Sequence, residues 1–392
     1  MTKILELETK EDRMELLSQT AASFVERAKK HDENATFPFE NFEDLHSIGY
    51  PSLSIPKKYG GGGIPLDELL TYQQIIGKAD GSTALSIGWH MGIMKHLGEN
   101  EVWKEETYAA VAKDVIENGA LLNNAATEPA TGSPTRGGRP ETSAIQEENG
   151  WIINGRKTFT TMAPVLQYFV VSASIEGTED VGSFLVNRDQ AGVSVEETWD
   201  SIAMRGSGSH DLILENVKVE KNDLAEMLSS KKRTPAGWLL HIPACYLGIA
   251  EAAQKEAVEF AVNYSPNSIS GTISELPNVK KKMGDVELLL MESRHFLYSV
   301  AKKWDVSSED IRKTMGAELG AVKLSVTNKA VEAVDLAMRI VGARSLSQKS
   351  NLQRYYRDVR AGLHNPPMDD MTIMQLADQS MKSVEQGTNF KA

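Results

Sequence analysis

The sequence predicts an α+β protein in three parts: an N-terminal helical domain over 1–120, a middle β-domain over 121–228 and a C-terminal helical bundle over 229–392. Three observations lead there. Apolar residues recur at helical spacing before residue 120. Short segments rich in β-branched and aromatic residues follow, separated by Gly, Asn and Asp. Beyond residue 236 the helical period returns in long stretches. The chain has 392 residues and is 41% apolar, which is enough for a substantial core.

In the first part, AASFVERAKKHDE and DELLTYQQIIGKADG carry apolar side chains three and four residues apart, so both are expected as helices. YPSLSIPKKYGGGGIPL lies between them, and its Pro and Gly content marks a turn-rich connection. Gly60 to Gly63 are read either as a flexible turn or as backbone free to approach a ligand closely.

The middle part reads as strands: WIINGRKTF, QYFVVSA, GSFLVN, GVSVEE and DLILENVKV. Asn154–Gly155 is expected as a tight hairpin turn. In LILENVKV the alternation shifts phase between Leu214 and Val217, which predicts a bulge near Glu215–Asn216.

In the third part, Met283, Val286, Leu290, Leu297 and Val300 fall on one stripe of a long helix. Residues 308–340 supply a second helix and 370–385 a shorter one, and such helices pack as a bundle. Pro366 and Pro367 stop the preceding helix near Asn365, and Asp369 and Asp370 then cap the next.

Composition excludes several classes of function. The net charge of −12, from 42 basic and 54 acidic side chains, disfavours binding to nucleic acid or to anionic membranes. Cys245 is the only cysteine, so neither an intrachain disulfide nor a thiolate metal cluster is expected. MTKILELETKEDRMELL has no apolar run of a secretory leader, and no apolar stretch approaches the ~18 residues of a spanning helix. A cytoplasmic location is therefore expected. No metal-ligand spacing, Walker A pattern, dinucleotide GxGxxG or G-x-S-x-G elbow occurs.

Four segments could carry chemistry. NNAATEPATGSP offers backbone N–H groups and the hydroxyls of Thr127 and Ser133 to a heterocycle edge or a phosphate. NGRKTFTTMAP places Phe159 beside Thr160 and Thr161, an aromatic face next to donors. MRGSGSHDLIL supplies the fork of Arg205 for an anion, although Asp211 could equally hold that arginine in a structural pair. YYRDVRAGLHNPPMDD puts His364 at a helix end, where a histidine can exchange protons near neutral pH. Trp89 and His90 are candidate substrate contacts, with a core position as the alternative for one of them.

Taken in order, IPKKYGGGGIPLDEL, TEPATGS, INGRKTFTTMA, MRGSGSHDLILENVKV and YYRDVR make the chain resemble the acyl-CoA dehydrogenase superfamily over nearly its whole length. The resemblance implies a helical N-domain, a middle β-barrel-like domain, a C-terminal four-helix bundle, a flavin cofactor and a homotetramer or dimer. It also implies that Ala125 and Thr127 contact the flavin edge and that Ser133 lies near a phosphate or the flavin. By the same comparison Phe159 replaces the usual tryptophan beside the ring, and Thr161 approaches its N5 or O4.

Two departures from the family pattern bear on the reaction. The glutamate that removes the substrate α-proton in common dehydrogenases is replaced: Pro366 stands nearest one known position for it and Trp238 nearest the other. NYSPNSISGTISELP also lacks the arginine expected at the adenine half of FAD, so FMN joins FAD as a candidate. VGARSL, YYRDVR and LHNPP resemble the flavin-dependent monooxygenase branch, whose members use reduced flavin, commonly from a separate reductase, and oxygen. There His364 would assist proton chemistry and Asn365 would orient substrate or water. The expectation is monooxygenation of a small organic substrate; the alternative is α,β-desaturation of an acyl-CoA with an unusual base, Asp369 or Asp370.

Overall fold

A computed structural model describes residues 2–131, 138–228 and 234–385. The helices are α1 (Lys10–Ala21), α2 (Phe24–Asn34), α3 (Phe39–Ser47), α4 (Leu66–Ala79), α5 (Gly81–Asn100), α6 (Glu105–Asn118), α7 (His241–Asn263), α8 (Pro277–Val306), α9 (Glu309–Arg312), α10 (Gly316–Val341), α11 (Asn351–Asp358) and α12 (Asp369–Glu385). The strands are β1 (Leu122–Ala125), β2 (Ser143–Glu147), β3 (Gly150–Thr160), β4 (Tyr168–Ile175), β5 (Val181–Asn187), β6 (Val193–Glu196), β7 (His210–Glu220) and β8 (Leu224–Met227). They form two compact units. Among the described residues, the first comprises 2–64, 85–131, 138–201 and 205–228, and the second 65–84, 202–204 and 234–385.

The first unit contains one sheet in the order β6-β7-β3-β2-β4-β5-β8, with β1 added to β4 in parallel. All five strand segments expected from the alternation are present. β4 is buried along all but its first residue, and Phe169, Val171, Phe184 and Val186 form its core with β5. The predicted bulge exists: Leu214 and Val217 of β7 face Gly155 and Ile153 of β3, which leaves Glu215 and Asn216 opposite Asn154 alone. Asn216 takes the left-handed conformation, φ 52°, which asparagine tolerates better than most residues.

Asn154–Gly155 is not a hairpin turn but lies inside β3; the β2–β3 hairpin closes instead between Glu147 and Gly150. Asn154 Oδ1 accepts the Asn216 N–H at 2.7 Å, so it satisfies a donor that the bulge frees. A Cβ at residue 155 would stand 2.3 Å from Thr142 Oγ1, which is why glycine is needed there. The four glycines also have a packing role. Gly62, Gly63 and Ile64 donate to the carbonyls of Ser52, Ile55 and Leu53, and a Cβ at Gly61 would lie 2.3 Å from the Ile55 carbonyl oxygen.

The second unit is a helical bundle in which α7 packs on α4, α8 and α10. α4 and α7 approach closely because each brings a glycine to the crossing. A Cβ on Gly77 would stand 2.7 Å from Cys245 O, and one on Gly248 would stand 2.5 Å from Gln74 O. α8 buries Val286, Leu290, Leu297 and Val300, four of the five residues in the predicted stripe. The stretch 308–340 divides into α9 and α10, with Met315 as the buried N-cap of α10. No described helix is long and apolar enough to cross a membrane.

Candidate active site

In the first unit, α5, β1 and the end of β3 converge through buried polar groups. His90 on α5 accepts the Leu122 N–H through Nδ1 at 3.2 Å, which joins the helix to the start of β1. One residue further along β1, Asn123 Nδ2 donates to the Thr161 carbonyl at 2.9 Å. Ala125, also on β1, is fully buried. The half-buried Thr127 follows, and its carbonyl accepts the Thr158 N–H at 2.9 Å. Ser133 lies outside the described residues.

Phe159 is 63% exposed and holds a left-handed backbone, φ 55°. That region is unfavourable for a bulky residue and persists only where the surroundings impose it. Here the flanking residues do so: Thr158 is bonded to Thr127, Thr160 pairs with His210, and the Thr161 N–H donates to the Phe159 carbonyl. The Phe159 ring packs edge-on against Trp199, with centroids 5.8 Å apart. Thr161 Oγ1 is 2.9 Å from Ser209 Oγ, which is 2.8 Å from Ser207 Oγ, so three buried hydroxyls form a chain that starts two residues after Phe159.

The loop carrying Thr127 is anchored by Glu128. Its carboxylate meets Lys157 Nζ at 2.5 Å and accepts the Glu141 and Thr142 N–H groups at 2.6 and 3.1 Å. Burial pushes the Glu128 carboxyl up, but the hydrogen bonds from Lys157 and Thr142 outweigh it and hold the group below its ordinary value.

Arg205 is half-buried and committed elsewhere than expected. Its Nε donates to the Asp32 carbonyl at 2.6 Å and one amino group to the Ser201 carbonyl, whereas Asp211 pairs with Arg156. Trp89 is half-buried on α5, and His90 is fully buried. Burial pushes the His90 imidazole down to about 4, so it is neutral at ordinary pH.

In the second unit, His364 is exposed at the end of a 3₁₀ turn over Val359–His364. Asn365 follows it in extended conformation, and its Oδ1 accepts the Tyr246 hydroxyl at 2.6 Å. Trp238 lies half-buried in the turn Gly237–Leu240, with its ring parallel to that of His241 at 5.9 Å. His241 is fully buried and pushed down to about 3 by that burial. Asp369 accepts from Lys323 at 3.2 Å and from Asn328 at 2.9 Å. Asp370 is exposed at the first turn of α12, where it accepts the Met371 N–H. No group of His, Cys, Asp and Glu suited to a metal occurs among the described residues.

Comparison with known proteins agrees with this architecture. The acyl-CoA dehydrogenase N-terminal, middle and C-terminal domain profiles match residues 9–112, 123–217 and 240–365. A Bacillus subtilis (strain 168) protein named "Putative acyl-CoA dehydrogenase YdbM" is 50% identical over 94% of this chain and 97% of its own. The chain belongs to the acyl-CoA dehydrogenase family. A 3-(aryl)acrylate reductase of Clostridium sporogenes is 29% identical over 88% of this chain and 92% of its own. Among solved structures, FMN-bound TdsC of Paenibacillus sp. A11-2, a dibenzothiophene monooxygenase, superposes with a TM-score of 0.85. It is 21% identical and covers 94% of this chain and 97% of its own.

As a member of the acyl-CoA dehydrogenase family the protein is a flavin-dependent oxidoreductase. The first unit fits such a cofactor: the exposed aromatic face of Phe159 suits a planar ring, and Thr161, two residues on, carries a hydroxyl able to meet a polar edge. Asn123, Trp199, Ser209, His210 and Tyr246 were not singled out as site residues by the sequence. Only Ser209 had a signal there, as a hydroxyl in MRGSGS; the others act through contacts distant along the chain.

Proposed function

We propose that this acyl-CoA dehydrogenase-family protein uses reduced flavin and molecular oxygen to oxygenate a small organic substrate. One observation carries the reading: neither family position for the desaturation base holds a base, and of the two alternative carboxylates Asp369 is engaged by other side chains. Pro366 and Trp238 stand nearest the two positions at which the family's dehydrogenases carry their base. Asp369 is engaged by Lys323 and Asn328. Desaturation without a general base forgoes roughly 10²- to 10⁴-fold in rate, whereas oxygenation removes no α-proton. The FMN and monooxygenase activity of TdsC, which shares this fold, support the same reading.

When bound, FAD or FMN supplies the two-electron redox chemistry that activates oxygen. The chain's residues position and protect that chemistry. Phe159 would flank the ring; Thr127, on the segment that Glu128 anchors, and Ala125, at the end of β1, would hold its edge. Thr161 presents its hydroxyl from the chain that continues through Ser209 to Ser207. His364 is the proton-exchanging group. Asn365 has its oxygen engaged by Tyr246, so it orients substrate through its amide donors. Trp89 on α5 would contact the substrate, while His90 holds the start of β1 and Arg205 holds the Asp32 carbonyl.

The relationship to YdbM and to the 3-(aryl)acrylate reductase favours a second reading, redox chemistry at an acyl C–C bond, with the exposed Asp370 as base. The two readings separate in one experiment. Chemically reduced FMN, ¹⁸O₂ and either indole or dibenzothiophene are supplied to the protein, and a parallel sample receives butyryl-CoA and an electron acceptor. The expected outcome is ¹⁸O in an organic product and unchanged butyryl-CoA; enoyl-CoA formation with no oxygenated product overturns the proposal.

A further inference from the structure

Phe159 is the most exposed aromatic side chain in the sheet unit, yet its backbone is held in a conformation that bulky residues avoid. The contact available is Trp199, whose ring lies 5.8 Å away at an interplanar angle of 75°. Edge-to-face pairs of this kind are attractive beyond the area they bury. Trp199 itself sits in the connection between β6 and β7, outside any strand or helix.

One side chain holds the main chain of that connection at Trp199. His210, the first residue of β7, accepts two main-chain N–H groups on the same ring nitrogen: Nδ1 is 3.1 Å from Thr198 N and 3.1 Å from Trp199 N. An imidazole can accept at Nδ1 only when that nitrogen carries no proton, which places the proton of the neutral ring on Nε2. The Thr198 hydroxyl closes the arrangement by accepting the Asp211 N–H at 3.1 Å.

We propose that His210, Trp199 and Phe159 form a positioning relay: the imidazole fixes the Trp199 backbone, and the indole fixes the exposed Phe159 ring against which the flavin rests. The inference rests on the reading of Phe159 as the flavin-flanking residue. His210 and Trp199 are positioning residues, since they act through Phe159.

The relay depends on pH, because protonation of Nδ1 removes the acceptor for both N–H groups. The charged groups that act on His210 are Glu197 on its own connection and Asp211 beside it on β7; Asp211 is itself bonded by Arg156 of β3, which also bonds Glu196 of β6. Burial lowers the His210 value and the two nearest carboxylates, Glu197 and Asp211, oppose it, so the net direction is down. The clamp is therefore intact at neutral pH and is lost as pH falls below the ordinary histidine range.

The test compares His210→Ala, His210→Asn and Trp199→Ala with the wild-type protein. Asparagine offers an oxygen acceptor near the position of Nδ1 and does not titrate. Two readouts are taken: acrylamide quenching of tryptophan fluorescence, with Trp199→Phe identifying the Trp199 component, and binding of FMN and FAD by titration. His210→Ala is expected to expose Trp199 to quencher, and both it and Trp199→Ala to weaken flavin binding roughly 2- to 10-fold, the worth of one aromatic pair. His210→Asn should restore both properties, and acidification should reproduce the alanine phenotype in wild type but not in His210→Asn. Unchanged quenching and binding in His210→Ala overturn the relay, as does an asparagine variant that behaves like alanine. Should His210→Ala fail to fold, unchanged flavin binding in Trp199→Ala overturns it. If the wild-type protein binds neither flavin, the flavin reading fails, while the quenching arm still decides whether His210 holds Trp199.

Discussion

Lys157 Nζ lies 2.5 Å from Glu128 Oε1, and both side chains are sealed from solvent. The pair ties the segment after β1 to β3, and a further contact to Ser172 Oγ at 3.3 Å ties it to β4. Removing one member of a buried pair strands the other charge and typically costs roughly 3–5 kcal/mol, whereas replacing both can be nearly neutral. Lys157→Met is therefore expected to lower the unfolding free energy by about that amount, with Glu128→Gln/Lys157→Met recovering most of it. Denaturant titration of the two variants checks this.

Phe159 separates stability from function. Its left-handed backbone is unfavourable for phenylalanine and natural for glycine, and its exposed ring buries little. Phe159→Gly is expected to leave stability within about 1 kcal/mol of wild type while flavin affinity falls at least several-fold. Thermal unfolding and flavin titration on the same preparation measure both.

The α+β organisation, the strands and the bulge at Glu215–Asn216 were legible because alternation and periodicity are local. Asn154–Gly155 misled because the pair has turn chemistry, but its requirements come from Asn216 and Thr142, which no local pattern reveals. The glycines at 60–63 likewise answer to the backbone of residues 52–55 behind them. At the site, the aromatic and hydroxyl character of Phe159 and Thr161 was readable, but the φ of Phe159 and its contact with Trp199 were not. Arg205 bonds the Asp32 carbonyl, 173 residues away, and Asp211, which the sequence offered as an alternative partner, pairs with Arg156 instead.

Asp369 is read as a structural partner of the buried Lys323. Asp369→Asn is expected to lower thermal stability, because it leaves the Lys323 ammonium without its charged partner, and to leave turnover within about twofold. A folded variant that loses the roughly 10²- to 10⁴-fold typical of a missing general base would reinstate Asp369 in the chemistry.

Acid sensitivity should come from two buried histidines. His90 and His241 ordinarily titrate near 6.5 and are held by burial at about 4 and about 3. For a value depressed by folding, the unfolded state binds more protons between the two values. Their contribution is complete above pH 6.5 and is lost as pH falls toward the folded values. For His90 the displacement corresponds to roughly 3 kcal/mol. Unfolding free energy measured from pH 7 to pH 4 should fall steadily, with a shallower slope in His90→Gln.

The most direct test of the proposed chemistry is the absorbance of the protein-bound oxidised flavin under strict anaerobiosis. Butyryl-, octanoyl- and isobutyryl-CoA are added in turn, and the flavin is then reduced chemically and exposed to oxygen. The account predicts no bleaching by any of the three thioesters and rapid reoxidation once oxygen is admitted. Bleaching by an acyl-CoA, with release of the matching enoyl-CoA, would contradict it.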